Sequence, residues 1–385
     1  MRILIVCPYY FPYTSGMTVY AQRLAEGLAK RGHQLKILTH NHNHLPEHEK
    51  INGVEIFRVP AMIKFGRGIF SPWMAEKFLK LMDWAEVVNI HAPFFECGLL
   101  ARLAKKRGKK VFFTYHCDMI LTGVLSPLLV DKLHKISINN AAKYSDAIIM
   151  NSLEYAKGSY VKNFLHKVMS ITPPLDDKKF KRIKSNRFRR KYSIGKKDFI
   201  VGFLGRLTSE KGLKTLIYAA KFLEGKIERL KIIIVGEGVL VAGGRSESEM
   251  PKLKNLAETL GMQNIIFPGK IPDKELNDFF SSIDVFVLPS VNRLESFGMV
   301  QVEAMLCGTP AVVSDIPGVS KAIKKTGFGL LFEPNNPNAL ADKIFEIFKN
   351  KKKYIPVRKK IIKNFGIKNT LDTYEKLFMK GTTHK

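Results

Sequence analysis

The chain has 385 residues in ordinary globular proportions, 45% apolar and 25% charged, so a single small binding module and a disordered chain are excluded and about two domains are expected. Its unusual feature is charge: 63 Lys and Arg against 34 Asp and Glu leave +29 at pH 7, which suits polyanions or an anionic membrane as partners without choosing between them. No stretch reaches the roughly 18 uninterrupted apolar residues of a spanning helix, and the four cysteines Cys7, Cys97, Cys117 and Cys307 show no C-x-x-C, so membrane contact is expected to be peripheral and neither a zinc knuckle nor a disulfide framework is expected.

In chain order, the apolar run Ile3–Cys7 ends at Pro8, too short for a signal-peptide core, and reads as a buried first strand of a cytoplasmic chain. Ile3–Val6, Gln34–Leu38, Val87–Ile90, Val111–Thr114 and Ala147–Met150 are strand-like, with helix-length segments such as Thr18–Arg31 between them. A second series follows at Phe199–Phe203, Leu230–Val235, Ile265–Phe267, Val285–Leu288 and Ala311–Val313. This α/β alternation predicts two Rossmann-like domains, 1–172 and 173–365, joined near the Pro173-Pro174 pair, with ligand in an interdomain cleft at the carboxyl ends of the strands. Lys178–Lys197 holds eleven basic residues and no acid. Asn369–Met379 has Leu371, Tyr374, Leu377 and Phe378 at helical spacing, and the helix at about 366–385 is expected to pack back on the first domain.

The richest segment is VFVLPSVNRLESFGMVQVEAMLCGTP, Val285–Pro310. Ser296 suits an N-cap and Gly308 the position after a helix, so a helix over Phe297–Cys307 is predicted, its free N–H groups at Phe297, Gly298 and Met299 open to a phosphate. Glu295 precedes that helix and Glu303 lies about 12 Å further along it, too far for a close acid and base pair. One carboxylate is placed to accept from sugar hydroxyls beside a diphosphate and the other from a ribose-like group; an ordinary capped surface helix is the bland alternative. GFLGRLTSEKG then puts Arg206 and Lys211 five residues apart in a glycine-bounded loop, a forked and a mobile cation suited to a leaving diphosphate, or else a solvated basic loop.

GRLTSEKG, VGEG at Val235–Gly238, FPGKIP at Phe267–Pro272 and ESFGMVQVEAMLCGTPAVVSDIPG resemble the retaining GT-B glycosyltransferases of family 4, as do PYTSGMTVYAQRLAEGLAKRGHQLKILT and the TYHCD turn in the first half. The resemblance implies a GT-B fold, a nucleoside-diphosphate sugar as co-substrate, no cofactor and no metal. It implies that Arg206 and Lys211 hold the donor diphosphate with backbone at Phe297, Gly298 and Met299, that Glu295 meets the donor sugar and that Glu303 meets the ribose. Gly236 would belong to the donor site, and main-chain groups at Gly269 and Lys270 would hold the base. Gly16 would approach the diphosphate, His116 the reacting sugar and acceptor, and Asp118 is a weaker polar candidate. The usual Gly-Gly of the first loop is Ser15-Gly16 here, and Lys321 stands where a glutamate is common. The front-side reaction implied by the resemblance needs no carboxylate nucleophile, and none paired with a base is evident.

His40, His42, His44 and His48 are read as a polar loop rather than a metal site. VGEGVLV begins like a dinucleotide fingerprint but carries Val241 at the third glycine position. Aromatics among cations in Lys64–Trp84, six bases in Arg102–Lys110 and the apolar stretch Met119–Val130 suggest attachment to the cytoplasmic face of an anionic membrane. The expected acceptor is a hydroxyl of a lipid-linked glycan, glycolipid or polysaccharide precursor. A nucleotide-sugar 2-epimerase of similar fold and a basic nucleic-acid-binding protein are the alternatives, and no nucleic acid is expected as partner.

Overall fold

The structure, a computed structural model, describes residues 1–42, 44–65, 68–118, 127–240 and 246–380. It divides into two compact units, Met1–Pro174 with the C-terminal segment from Ile367, and Leu175–Gly366.

The first unit is built on an eight-stranded sheet in the spatial order Val168–Ser170, Ala147–Met150, Lys110–Tyr115, Val87–Ala92, Arg2–Val6, Gln34–Asn41, Val54–Pro60, His48–Ile51. All neighbours are parallel except the last pair. The central strands are covered on both faces, so Ile3, Leu4, Ile5 and Val6 are all fully buried and read as one apolar run. Ile3 and Ile5 pack with Leu24 and Leu28 of helix Gly16–Ala29, while Leu4 and Val6 pack with Phe78 and Leu100 from the helices on the other face. Helix Gly16–Ala29 begins two residues before the expected Thr18, because Ser15 and Thr18 close a capping box at its start. Leu371, Tyr374 and Phe378 of the terminal helix Ile367–Met379 are buried in this unit's core, with Leu377 partly buried against it.

Val54–Pro60 is a strand that the apolar pattern missed. It carries Glu55 and Arg58, and Arg58 is buried because its guanidinium donates to the carbonyls of Pro46 and Phe11 at 3.0 Å each and pairs with Glu49. The histidines are not one loop: His40 is buried within Gln34–Asn41 and His48 opens an edge strand.

The second unit holds a six-stranded, all-parallel sheet in the order Ile265–Gly269, Leu230–Val235, Phe199–Leu204, Val285–Leu288, Ala311–Ser314, Gly329–Phe332. The basic segment Lys178–Lys197 packs onto this unit through buried Phe180 and Phe188. Its cations meet local acids: Lys179 to Asp273 at 2.7 Å, Lys191 to Glu275 at 2.9 Å, Arg189 to Asp284 at 3.4 Å and Arg187 to Asp278 at 3.6 Å. Among the described residues no helix is long and apolar enough to cross a membrane.

Candidate active site

In the second unit four loops are laced together at the carboxyl ends of adjacent strands. Gly205 N–H donates to Val235 O at 3.1 Å, Leu207 N–H to Glu237 O at 2.8 Å, Gly236 N–H to Gly269 O at 2.9 Å and Val291 N–H to Glu210 O at 3.0 Å. The approach is too close for side chains: a Cβ on Gly236 would lie 1.8 Å from Gly205 O, and one on Gly212, at φ +65°, would lie 2.1 Å from Pro289 O. Beside these contacts Lys270 is exposed, following Gly269 in the left-handed region.

Lys211 and Glu295 come together here. They form a close ion pair, both side chains mostly buried, and the other Glu295 oxygen accepts the Gly298 N–H at 3.0 Å. That second bond corrects the predicted helix. The helix is Met299–Leu306, with Gly298 as N-cap at φ +70° and no side-chain cap from Ser296, because Glu295 captures the N–H of Gly298 and turns the chain left-handed there. Of the three N–H groups expected to be open, that of Gly298 is therefore occupied by a carboxylate. Arg206 pairs at 3.5 Å with the buried Glu210, one turn on. Glu303 lies within the helix and is buried, and Phe297 is buried in the core against Phe365.

Gln301 escaped the sequence reading. Fully buried, it donates to Phe297 O at 2.7 Å and Val319 O at 3.0 Å, tying the loop before the helix to the loop at Gly318. Its signal is a lone amide among apolar residues on a mostly buried helix that also carries Glu303. Gly318 approaches the same loop so closely that a Cβ would stand 2.1 Å from Ser296 O.

In the first unit Gly16 is the first residue of its helix, behind the Ser15 cap. His116 follows strand Lys110–Tyr115, and its Nε2 lies 3.1 Å from Nδ1 of His91. Burial pushes the His116 imidazole down to about 3 and holds that of His91 well below the ordinary histidine value, with the mutual effect of His116 adding to the latter, so both rings are neutral at pH 7. Asp118 is engaged in the fold: its Oδ1 accepts from Tyr115 Oη at 2.6 Å and from Tyr160 N–H at 3.1 Å. Among the described residues no group of three or more His, Cys, Asp or Glu is placed to hold a metal ion; His40 instead meets Glu96 at 3.2 Å. Val241 and residues 119–126 of the apolar stretch after His116 lie outside the described residues.

Two family models match, Glycosyltransferase Family 4 over residues 14–162 and Glycosyl transferases group 1 over residues 184–365. The chain is a GT-B glycosyltransferase of the family 4 type. An uncharacterized glycosyltransferase of Methanocaldococcus jannaschii is 28% identical over 374 residues, covering 89% of this chain and 87% of that protein. The phosphatidyl-myo-inositol mannosyltransferase of Mycobacterium leprae is 26% identical over 364 residues, covering 91% and 88%. In fold, the glycosyltransferase is similar to Anabaena HepE, solved in complex with UDP-glucose, with a TM-score of 0.76 at 18% identity over 99% of this chain and 100% of that one. In this glycosyltransferase the loops around Lys211 and Glu295 fall within the group 1 match, and His116 and Gly16 within the Family 4 match.

Proposed function

We propose that the glycosyltransferase takes a nucleoside-diphosphate sugar and passes the sugar, with retention of anomeric configuration, to a hydroxyl of a lipid-linked glycan, glycolipid or polysaccharide precursor. The observation that carries the reading is the Lys211, Glu295 and Gly298 constellation at the start of helix Met299–Leu306. A diphosphate there would take the remaining hydrogens of the Lys211 ammonium, the Arg206 fork and the first N–H groups of the helix, which have no carbonyl one turn back. Lys211 would then oppose charge as it grows on the departing phosphate, and Glu295 would keep lone pairs for sugar hydroxyls. Buried Glu303 is assigned the ribose, Gly236, Gly269 and Lys270 the nucleotide, Gly16 the diphosphate and His116 a hydroxyl beside the reacting centre, with Asp118 a weaker polar candidate. In a front-side reaction the departing phosphate receives the acceptor proton, so no carboxylate nucleophile is required and no metal or cofactor is assigned. HepE, solved with UDP-glucose, and the phosphatidyl-myo-inositol mannosyltransferase support the donor and acceptor classes.

A thermal-shift screen of UDP-glucose, UDP-N-acetylglucosamine and GDP-mannose tests the donor. At least one should raise the melting temperature of the wild type, and by less in Glu303→Ala; no shift with any of them would count against the assignment.

Peripheral attachment to an anionic membrane belongs to the same proposal. Its support is the helix Pro127–Tyr144, where Leu129, Leu133 and Ile136 are 56%, 53% and 48% exposed at spacings of one helical face, with exposed Lys132 and Lys135 beside them. Vesicles with phosphatidylglycerol should pellet the wild type in low salt and release Leu133→Glu, while phosphatidylcholine vesicles should pellet neither; equal pelleting by both would sink the idea.

A further inference from the structure

A line of buried polar side chains runs inward from His116. His91 Nε2 is hydrogen-bonded to Asn89 Oδ1, and Asn89 Nδ2 reaches Thr114 Oγ1 at 3.0 Å and the Phe112 carbonyl at 3.4 Å. Thr114 Oγ1 lies 3.2 Å from Tyr374 Oη of the terminal helix, and Tyr374 Oη 2.8 Å from Tyr20 Oη. The Tyr20 ring stands edge-on to His116 at 4.9 Å between centroids and to His91 at 5.7 Å.

A carbonyl oxygen only accepts, so the Asn89 amide nitrogen must face Phe112 and its oxygen must face His91. That oxygen takes a proton from His91 Nε2. A neutral imidazole has one N–H, so His91 Nδ1 is an acceptor and His116 Nε2 is the donor to it. The lone pair of His116 is thereby left on Nδ1. Among the described residues that nitrogen has no partner.

Resting on the assignment of His116 to the reacting group, we propose that His91, held by Asn89, is a positioning residue that fixes His116 in its Nε2–H tautomer, so that His116 addresses a substrate hydroxyl through Nδ1 and not a phosphate oxygen. A phosphate oxygen needs a donor, and the one N–H of His116 is spent on His91. A hydroxyl needs an acceptor, and Nδ1 is the acceptor on offer. Thr114 supports Asn89, and through Tyr374 and Tyr20 the same line reaches the terminal helix and helix Gly16–Ala29.

Nitrogen-15 NMR of the full chain labelled at histidine reads this directly, with His116→Gln used to assign the signals. Expected at pH 7 is a protonated Nε2 and an unprotonated Nδ1 on His116. His91→Leu should mix the two tautomers, whereas His91→Gln, whose amide carries an acceptor and a donor together, should restore the wild-type pattern. With the donor found in the thermal-shift screen, His91→Leu should lower kcat by roughly tenfold with little change in KM. A wild-type spectrum with Nδ1–H, or an unchanged tautomer in His91→Leu, overturns the proposal, and the first of these needs no variant to fold. Wild-type turnover in His116→Ala would instead remove His116 from the reacting site and leave the tautomer result standing.

Discussion

Lys211 is held by Glu295 in a pair that is mostly buried, so its ammonium is already oriented before any anion arrives. Truncating it removes a cation and leaves the Glu295 carboxylate with one fewer partner, and the loss should be greatest where charge is greatest, on the departing phosphate. Lys211→Ala is expected to lower turnover at saturating donor by about 100- to 1,000-fold, measured as nucleoside diphosphate release. Glu303 differs, because a ribose contact is the same before and during reaction. Glu303→Ala should raise the donor Kd, read by calorimetry, by roughly tenfold while leaving kcat nearly unchanged. A Glu303→Ala enzyme that lost kcat and kept its donor affinity would reverse the two assignments.

At the scale of elements the start of helix Met299–Leu306 depends on Gly298, whose φ is +70° and whose added Cβ would lie 2.4 Å from Leu288 Cδ2. Gly269 has nearly the same φ, +73°, but no heavy atom within 4 Å of the Cβ position. The two therefore separate backbone strain from overpacking. Gly269→Ala should cost about 1 kcal/mol and Gly298→Ala about 2 to 4 kcal/mol, compared by urea unfolding. Central strands such as Leu230–Val235 were legible in the sequence because burial on both faces demands an unbroken apolar run. Val54–Pro60 was not, since its buried Arg58 depends on carbonyls of Pro46 and Phe11 that are remote in sequence. Within the site, Lys211 and Glu295 were readable as motif residues, yet their pairing was not, because 84 positions separate them. The links from His91 to His116 and from Asn89 to Thr114 escaped for the same reason: they form only when neighbouring strands are in register.

For the molecule as a whole, the +29 is partly absorbed by the fold itself. Lys179, Arg187, Arg189 and Lys191 face acids of their own unit, and Arg358 donates to the carbonyls of Phe180 and Leu306, so these cations are structural before they are a surface. Charge also fastens the terminal helix. Arg31 pairs with Asp372 at 2.8 Å and with Glu375, whose other oxygen lies 2.8 Å from His33. Burial alone would raise the Glu375 carboxyl, but hydrogen bonds from His33 and Arg31 and their charges outweigh it and hold the group below the ordinary value of 4.5. A carboxyl depressed on folding stabilises the folded state above its unfolded pKa, and that contribution is lost as pH falls through the folded one. The outer end of helix Ile367–Met379 should therefore loosen as pH drops through and below about 4.5, while Tyr374 and Phe378 remain held by apolar burial. Hydrogen exchange of this segment, pulse-labelled across that range and corrected for intrinsic rates, should show wild-type protection falling with acid. Glu375→Gln should show less protection at pH 7 and little further change, and parallel curves for the two proteins would mean that another group controls the helix.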